Sequence, residues 1–135
     1  TVREEIGLVG ASRIDAAFLR DVDAAIVIDR RGNRDIVTSC GGAVPFCEPS
    51  YGRLYEEAGV LAGMTGWRVT AGGSSDAVVF ARDFGINTVN LSAGYRHEHT
   101  DREMLDVVAA YETAKLVETV LHRRMIESWA NSRPA

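Results

Sequence analysis

The sequence has little of what marks specialised protein classes. Two cysteines and three prolines in 135 residues rule out a disulfide-dense scaffold or a proline-rich linker. Cys40 and Cys47 are ordinary for a reduced, cytoplasmic protein, with a loop disulfide between them left open. There is no excess of basic charge: 15 Lys and Arg stand against 19 Asp and Glu, and the basic residues are scattered. That leaves no electrostatic footprint for nucleic acid or an anionic membrane. No apolar run approaches the roughly 20 residues of a membrane-spanning helix, and the N-terminus lacks a basic-then-apolar signal pattern. Internal repeats and low-complexity segments are also missing. What remains is 46% hydrophobic residues, enough for one α/β domain with a core and too short a chain for two.

Thr1-Val2-Arg3-Glu4-Glu5 opens the chain without a methionine, at what reads as the end of a strand, so the sequence is expected to be cut from something longer. Gly10 to Arg20 reads as a helix in which Ser12 and Asp15 are spaced like a capping box. Ala24-Ala25-Ile26-Val27-Ile28 is a continuous apolar run ending at Asp29, the pattern of a strand buried on both faces of a parallel sheet. A turn at Arg30 to Asp35 leads to a strand at Ile36 to Thr38 and a Gly41-Gly42 loop. Pro49 suits the first position of a helix to about Ala62. Then come a strand at Trp67 to Thr70, the loop Gly72-Gly73-Ser74-Ser75-Asp76, a helix from Ala77 to Phe84, and a buried strand at Asn87 to Leu91. A loop from Ser92 to His99 follows. Thr100 and Glu103 form a second capping box, opening a long helix with Leu105, Ala109, Leu116 and Val120 on one face. His122 reads as an exposed residue of that helix, residues 1–127 as structured, and 128–135 as a frayed tail.

Strands alternating with helices predict an α/β fold with an open, mostly parallel sheet flanked by helices. Ligands in such sheets gather at the carboxyl ends of strands. Glu4 and Glu5, Asp29, the Ser74-Ser75-Asp76 loop, and His97 or His99 are the candidates there. Adjacent glutamates on an extended chain point opposite ways, so one suits a base and the other a ligand. Carboxylates and an imidazole from separate strand ends are donors of the kind that hold Zn²⁺, Mn²⁺ or Co²⁺. The same residue types also solvate loops and cap helices.

Thr1 to Ala11 resembles the Glu-Glu-x-Gly-x-x-Gly-Ala signature of the co-catalytic zinc peptidases, the superfamily of tetrahedral and glutamyl aminopeptidases, tripeptidases, carboxypeptidases and bacterial leucyl aminopeptidases. Asp23 to Asp29 is similar to their strand ending in a metal-binding acid. Gly72 to Ala77 resembles their Gly-Gly-Ser/Thr-Asp-Ala loop, and Gly94 to Glu103 the loop carrying their last histidine ligand. Only 70 positions separate Asp29 from His99. That is too few for the extra domain which the carboxypeptidase and tripeptidase branch inserts there, so the aminopeptidase branches fit better.

The resemblance implies Glu4 as general base, Glu5 and His99 on one metal and Asp29 on the other. His99 is preferred because it directly precedes Thr100, with His97 as the fallback. Asp76 orders the site or caps the following helix, and Ser74, Ser75, Gly94, Tyr95 and Arg96 line the substrate pocket or serve the loops. The implied reaction removes N-terminal amino acids from peptides through water activated by two divalent ions, zinc first, cobalt or manganese otherwise. A further histidine and a bridging aspartate belong upstream of the glutamate pair. The chain is therefore expected to be a partial catalytic domain lacking its N-terminal part, inactive alone and homo-oligomeric when complete. An amidohydrolase acting on acyl-amino acids, or a binding module that kept the fold, are the alternatives.

Overall fold

The computed structural model describes residues 9–133; the Val2 strand end and the glutamates at positions 4 and 5 lie outside them. A helical turn, α1, spans Val9–Ser12, after which the chain runs through turns to residue 22. The helix expected over Gly10 to Arg20 therefore stops early. Asp15 does not close a capping box; its Oδ1 accepts from the N–H of Ala17 at 2.9 Å.

Six strands form one sheet: β1 (Ala24–Arg31), β2 (Asp35–Cys40), β3 (Val44–Pro45), β4 (Arg68–Gly72), β5 (Asn87–Arg96) and β6 (Met104–Leu105). The helices are α2 (Pro49–Leu61), α3 (Asp76–Arg82), α4 (Val107–His122) and α5 (Met125–Ser132). The two long pairings, β1 with β5 and β2 with β4, are parallel. β2 runs against β5, and the short β3 and β6 pair antiparallel to β2 and β5. The sheet is thus open, mixed and flanked by helices, and the carboxyl ends of β1 and β4 point in opposite directions. β5 is central and buried along most of its length. Among the described residues β1 pairs only with β5; Ala24 to Val27 are partly buried and Ile28 is 46% exposed, so the run is less buried than the sequence reading expected.

Alternation along the strands divides the core. Ile36, Val89 and Leu91 face Tyr51, Leu54, Tyr55 and Ala58 of α2, Leu116 and Val120 of α4 and Trp129 of α5. Val37 faces the other way, with Phe46 and with Ala77 and Val78 of α3. α2 starts at Pro49, whose absent N–H costs nothing in a first turn. Its Tyr51 and Tyr55 are fully buried, share a 2.6 Å hydroxyl contact, and Tyr51 donates to the carbonyl of Ala25 at 3.1 Å. That bond ties α2 to β1.

Two boundaries differ from the sequence reading. The strand expected to end at Leu91 runs on to Arg96, and α4 opens at Asp106, whose Oδ1 accepts from the N–H of Ala109 at 3.1 Å. Thr100 and Glu103 do bond locally: Glu103 N–H donates to the Thr100 carbonyl, and the Glu103 carboxylate accepts from the N–H of His99. They close a turn instead of starting a helix, because Met104 and Leu105 pair with Arg96 and Tyr95. Leu105 is consequently half exposed and off the core face of α4. The tail also departs from a frayed end. α5 continues to Ser132, with Trp129 buried against Tyr51 and its Nε1 donating to Ser50 Oγ at 2.9 Å. No helix among the described residues is long and apolar enough to cross a membrane.

Candidate functional site

An open cleft of about 750 Å³ lies over the α3 side of the sheet. Its wall combines Asp29, Arg30 and Arg31 of β1, the Gly72-Gly73-Ser74 loop, Asn90 and Tyr95 of β5, and Glu98, His99 and Glu103. Sequence reasoning singled out Asp29, Ser74, Tyr95 and His99 among these, and the fold brings all four to one place.

Asp29 sits inside β1, two residues before its end, at an irregularity of the ladder. Ile28 pairs with Leu91 and Arg30 with Ser92, so Asp29 is an extra residue on its strand. Such bulges re-aim a side chain. Asn90 Nδ2 donates to Asp29 Oδ1 at 2.6 Å, and Asn90 Oδ1 accepts from the Asp29 N–H at 3.1 Å. His99 is exposed on the loop that follows β5, in the left-handed region at φ 62°, and His97 is similar at φ 55°. Histidine is among the few side chains that enter that region readily. His97 lies on the rim, beside Arg96 and Gly32.

The other candidates are placed differently. Ser75 is buried as the N-cap of α3, its Oγ accepting from the N–H of Ala77 at 3.2 Å, so the cap is Ser75 and not Asp76. Asp76 opens that helix. Burial raises its carboxyl above the ordinary value, and the nearby Asp29 charge raises it further. Gly94 is buried away from the cleft: at φ 95°, a Cβ there would stand 2.7 Å from the Asp106 carbonyl oxygen at the start of α4. Arg96 is exposed and pairs with Asp106 at 3.3 Å. Of the cleft arginines, Arg30 pairs with Asp35 at 3.4 Å and Arg31 with Glu98 at 3.5 Å.

Asp29 and His99 are an oxygen and a nitrogen donor of the kind a zinc-like ion takes, and they fit one in chemical type. Two donors are fewer than the three protein ligands typical of a catalytic zinc site. Among the described residues no three His, Cys, Asp or Glu side chains gather to hold a metal. Glu5, the third donor implied by the resemblance, and Glu4, the implied base, lie outside the described residues. Asn90 is the residue that sequence reasoning missed. Its signal was an amide between Val89 and Leu91 of β5, but its partner emerges only from the register. Cys40 and Cys47 are both free thiols.

No family model matches the chain. Over 52 residues it is 42% identical to the uncharacterised protein YqjE of Bacillus subtilis, a stretch covering 38% of this chain and 14% of that protein. Its fold is similar to that of PhTET1-12s, solved as a dodecamer, with a TM-score of 0.67 and 23% identity over 90% of this chain. Aminopeptidase PepT from Bacillus cereus superposes on 57% of the chain with a TM-score of 0.50 and 33% identity. The fold is aminopeptidase-like. The chain spans 39% of the length of PhTET1-12s and 21% of PepT.

Proposed function

We propose that this aminopeptidase-like chain serves metal-dependent peptide hydrolysis, releasing N-terminal amino acids, as part of the catalytic domain of a full-length two-metal peptidase. One observation carries the reading: Asp29 and His99, 70 positions apart, line one cleft of a fold similar to that of an aminopeptidase. In this reading Asp29 holds one ion and Glu5 with His99 the other, zinc first, then cobalt or manganese. Bound there, the metal supplies Lewis-acid polarisation of the scissile carbonyl and acidifies a water molecule.

The chain's own residues do the rest. Glu4 takes a proton from the water and returns it to the leaving amine. The Gly72-Gly73-Ser74 loop and Tyr95 form the wall against which a peptide lies, with Arg96 at its mouth. A cytoplasmic setting and a homo-oligomer belong to the same proposal, the latter supported by the dodecameric state of PhTET1-12s.

The test is Glu4→Gln in the full-length protein, assayed on aminoacyl anilides and by metal analysis. Turnover is expected to vanish while metal content stays near two ions per chain; undiminished turnover would remove Glu4 from the mechanism. Preference for acyl-amino acids over anilides in the wild type would point to the amidohydrolase alternative. Absence of bound metal would favour a fold-retaining binding module.

A further inference from the structure

We propose that Asn90 is the positioning residue that locks the bulged Asp29 in place and so fixes where its carboxylate points. The inference rests on the peptidase reading for its consequence in metal binding, and on the β1 bulge for its geometry. Between the Ile28 and Leu91 pair and the Arg30 and Ser92 pair, β1 advances two residues while β5 advances one. The extra residue of a bulge is left unpaired in the ladder, and a backbone N–H stranded in this way needs another acceptor. Asn90 supplies it from its side chain, at 3.1 Å.

The same amide turns its Nδ2 onto Asp29 Oδ1 at 2.6 Å, a charge-assisted contact. One side chain thus holds both the backbone and the carboxylate of a single neighbour. Asn90 is 4% exposed, and through its register with Val27 and Val37 it shares the sheet face on which the cleft lies. Asp29 Oδ2 makes no hydrogen bond among the described residues. The clamp thus occupies one oxygen of a carboxylate that lines the cleft.

Few side chains can do this. An aspartate at position 90 keeps the acceptor for the Asp29 N–H but faces the Asp29 carboxylate with a second negative charge. A leucine has neither donor nor acceptor. Outer partners that hold a metal-binding carboxylate in place typically contribute about 10–100-fold in metal affinity or activity.

The experiment compares Asn90→Leu and Asn90→Asp with the wild-type full-length protein. Three quantities are read: hydrogen exchange of the Asp29 amide at residue resolution, cobalt affinity with the visible absorption band of the bound ion, and kcat and KM separately. Asn90→Leu is expected to speed Asp29 exchange about tenfold, the loss of one hydrogen bond. It should also weaken cobalt binding about 10–100-fold and shift the band. Asn90→Asp should keep the Asp29 amide protected yet lower kcat with KM little changed, a split that general destabilisation would not produce. Wild-type exchange and cobalt affinity in Asn90→Leu, or wild-type kcat in Asn90→Asp, would overturn the proposal. If the wild type itself binds no cobalt, the peptidase reading fails, and Asp29 exchange in Asn90→Leu alone decides the clamp.

Discussion

Trp129 separates a frayed tail from a docked helix. Its side chain is 8% exposed, lies 4.9 Å from the Tyr51 ring between centroids, and donates from Nε1 to Ser50. The Arg133 guanidinium lies over its ring at 4.6 Å from the centroid. A buried aromatic removes roughly 150–250 Å² from water, which at about 25 cal/mol per Å² corresponds to about 4–6 kcal/mol. That figure is an upper bound, since an unfolded chain already hides part of its surface. Measured core Trp→Ala changes cost about 3–5 kcal/mol. Trp129→Ala is therefore expected to cost about 4 kcal/mol. With a urea slope of about 2 kcal/mol per molar, the denaturation midpoint should fall by about 2 M, followed by the fluorescence of Trp67. Trp129→Phe keeps most of the packing and loses the bond to Ser50, so about 1 kcal/mol is expected. A frayed tail predicts no change in either variant. A Trp129→Ala midpoint within about 0.3 M of wild type, which at that slope is about 0.6 kcal/mol, would refute the docking of α5.

Gly52→Ala reverses the usual benefit of alanine in a helix. The propensity gain of about 1 kcal/mol is outweighed because the added Cβ would stand 2.8 Å from Thr38 Cγ2 and 3.2 Å from Val69 Cγ2. Overpacking of this kind costs about 1–3 kcal/mol, so the urea midpoint should fall; a rise would contradict the geometry. Asp106→Ala removes the cap of α4 and should cost about 1 kcal/mol, whereas Arg96→Ala, which breaks only the exposed pair with Asp106, should cost close to nothing in the same melt. Burial pushes the Cys47 thiol up to about 11. At pH 8 it should therefore alkylate with iodoacetamide far more slowly than glutathione and accelerate as pH rises past 9, read by mass spectrometry; a glutathione-like rate at pH 8 would show the thiol to be exposed.

Much of the architecture was legible because it is written in local patterns. The apolar run at Ala24 to Ile28, the proline at the head of α2 and the glycine loop before α3 each identify an element within a few residues. The errors arise where a distant partner outweighs a local signal. Thr100 and Glu103 were read as a capping box opening a helix, yet they close a turn, and pairing of Met104 and Leu105 with the end of β5 delays the helix to Asp106. The last helix was hidden by its break at Arg124, a non-glycine residue at φ 53° that no breaker residue announces. Met125, Ile126, Trp129 and Ala130 do repeat as a helical stripe, but cutting the window at Ser128 splits it. For the site, Asp29 and His99 stood out as donor types at expected element ends. Asn90 did not, because its function depends on a one-residue slip between two strands, and nothing in either strand alone encodes that slip.

The two faces of the sheet divide the work between stability and chemistry. On one side α2, α4 and α5 cover β2 and β5 with Tyr51, Tyr55, Leu116, Val120 and Trp129, the larger of the two apolar clusters. On the other side, among the described residues, α3 packs over Val37 and Phe46 with the cleft next to it. A bulge and backbone in the left-handed region each cost conformational energy, tolerated only where surrounding structure over-determines them. Both occur beside the cleft, at Asp29 and in the loop of His97 and His99, and left-handed backbone recurs at Arg34 and Arg124. The thick layer stabilises β5 from behind, and β5 in turn carries Asn90 and leads into the His99 loop. Substitutions in α2 and α5 should thus lower stability while leaving the geometry of Asp29 intact, whereas Asn90 substitutions should move that geometry in addition to the stability lost with the Asn90 hydrogen bonds. A protein in which both sets moved stability and site geometry together would not have this division of labour.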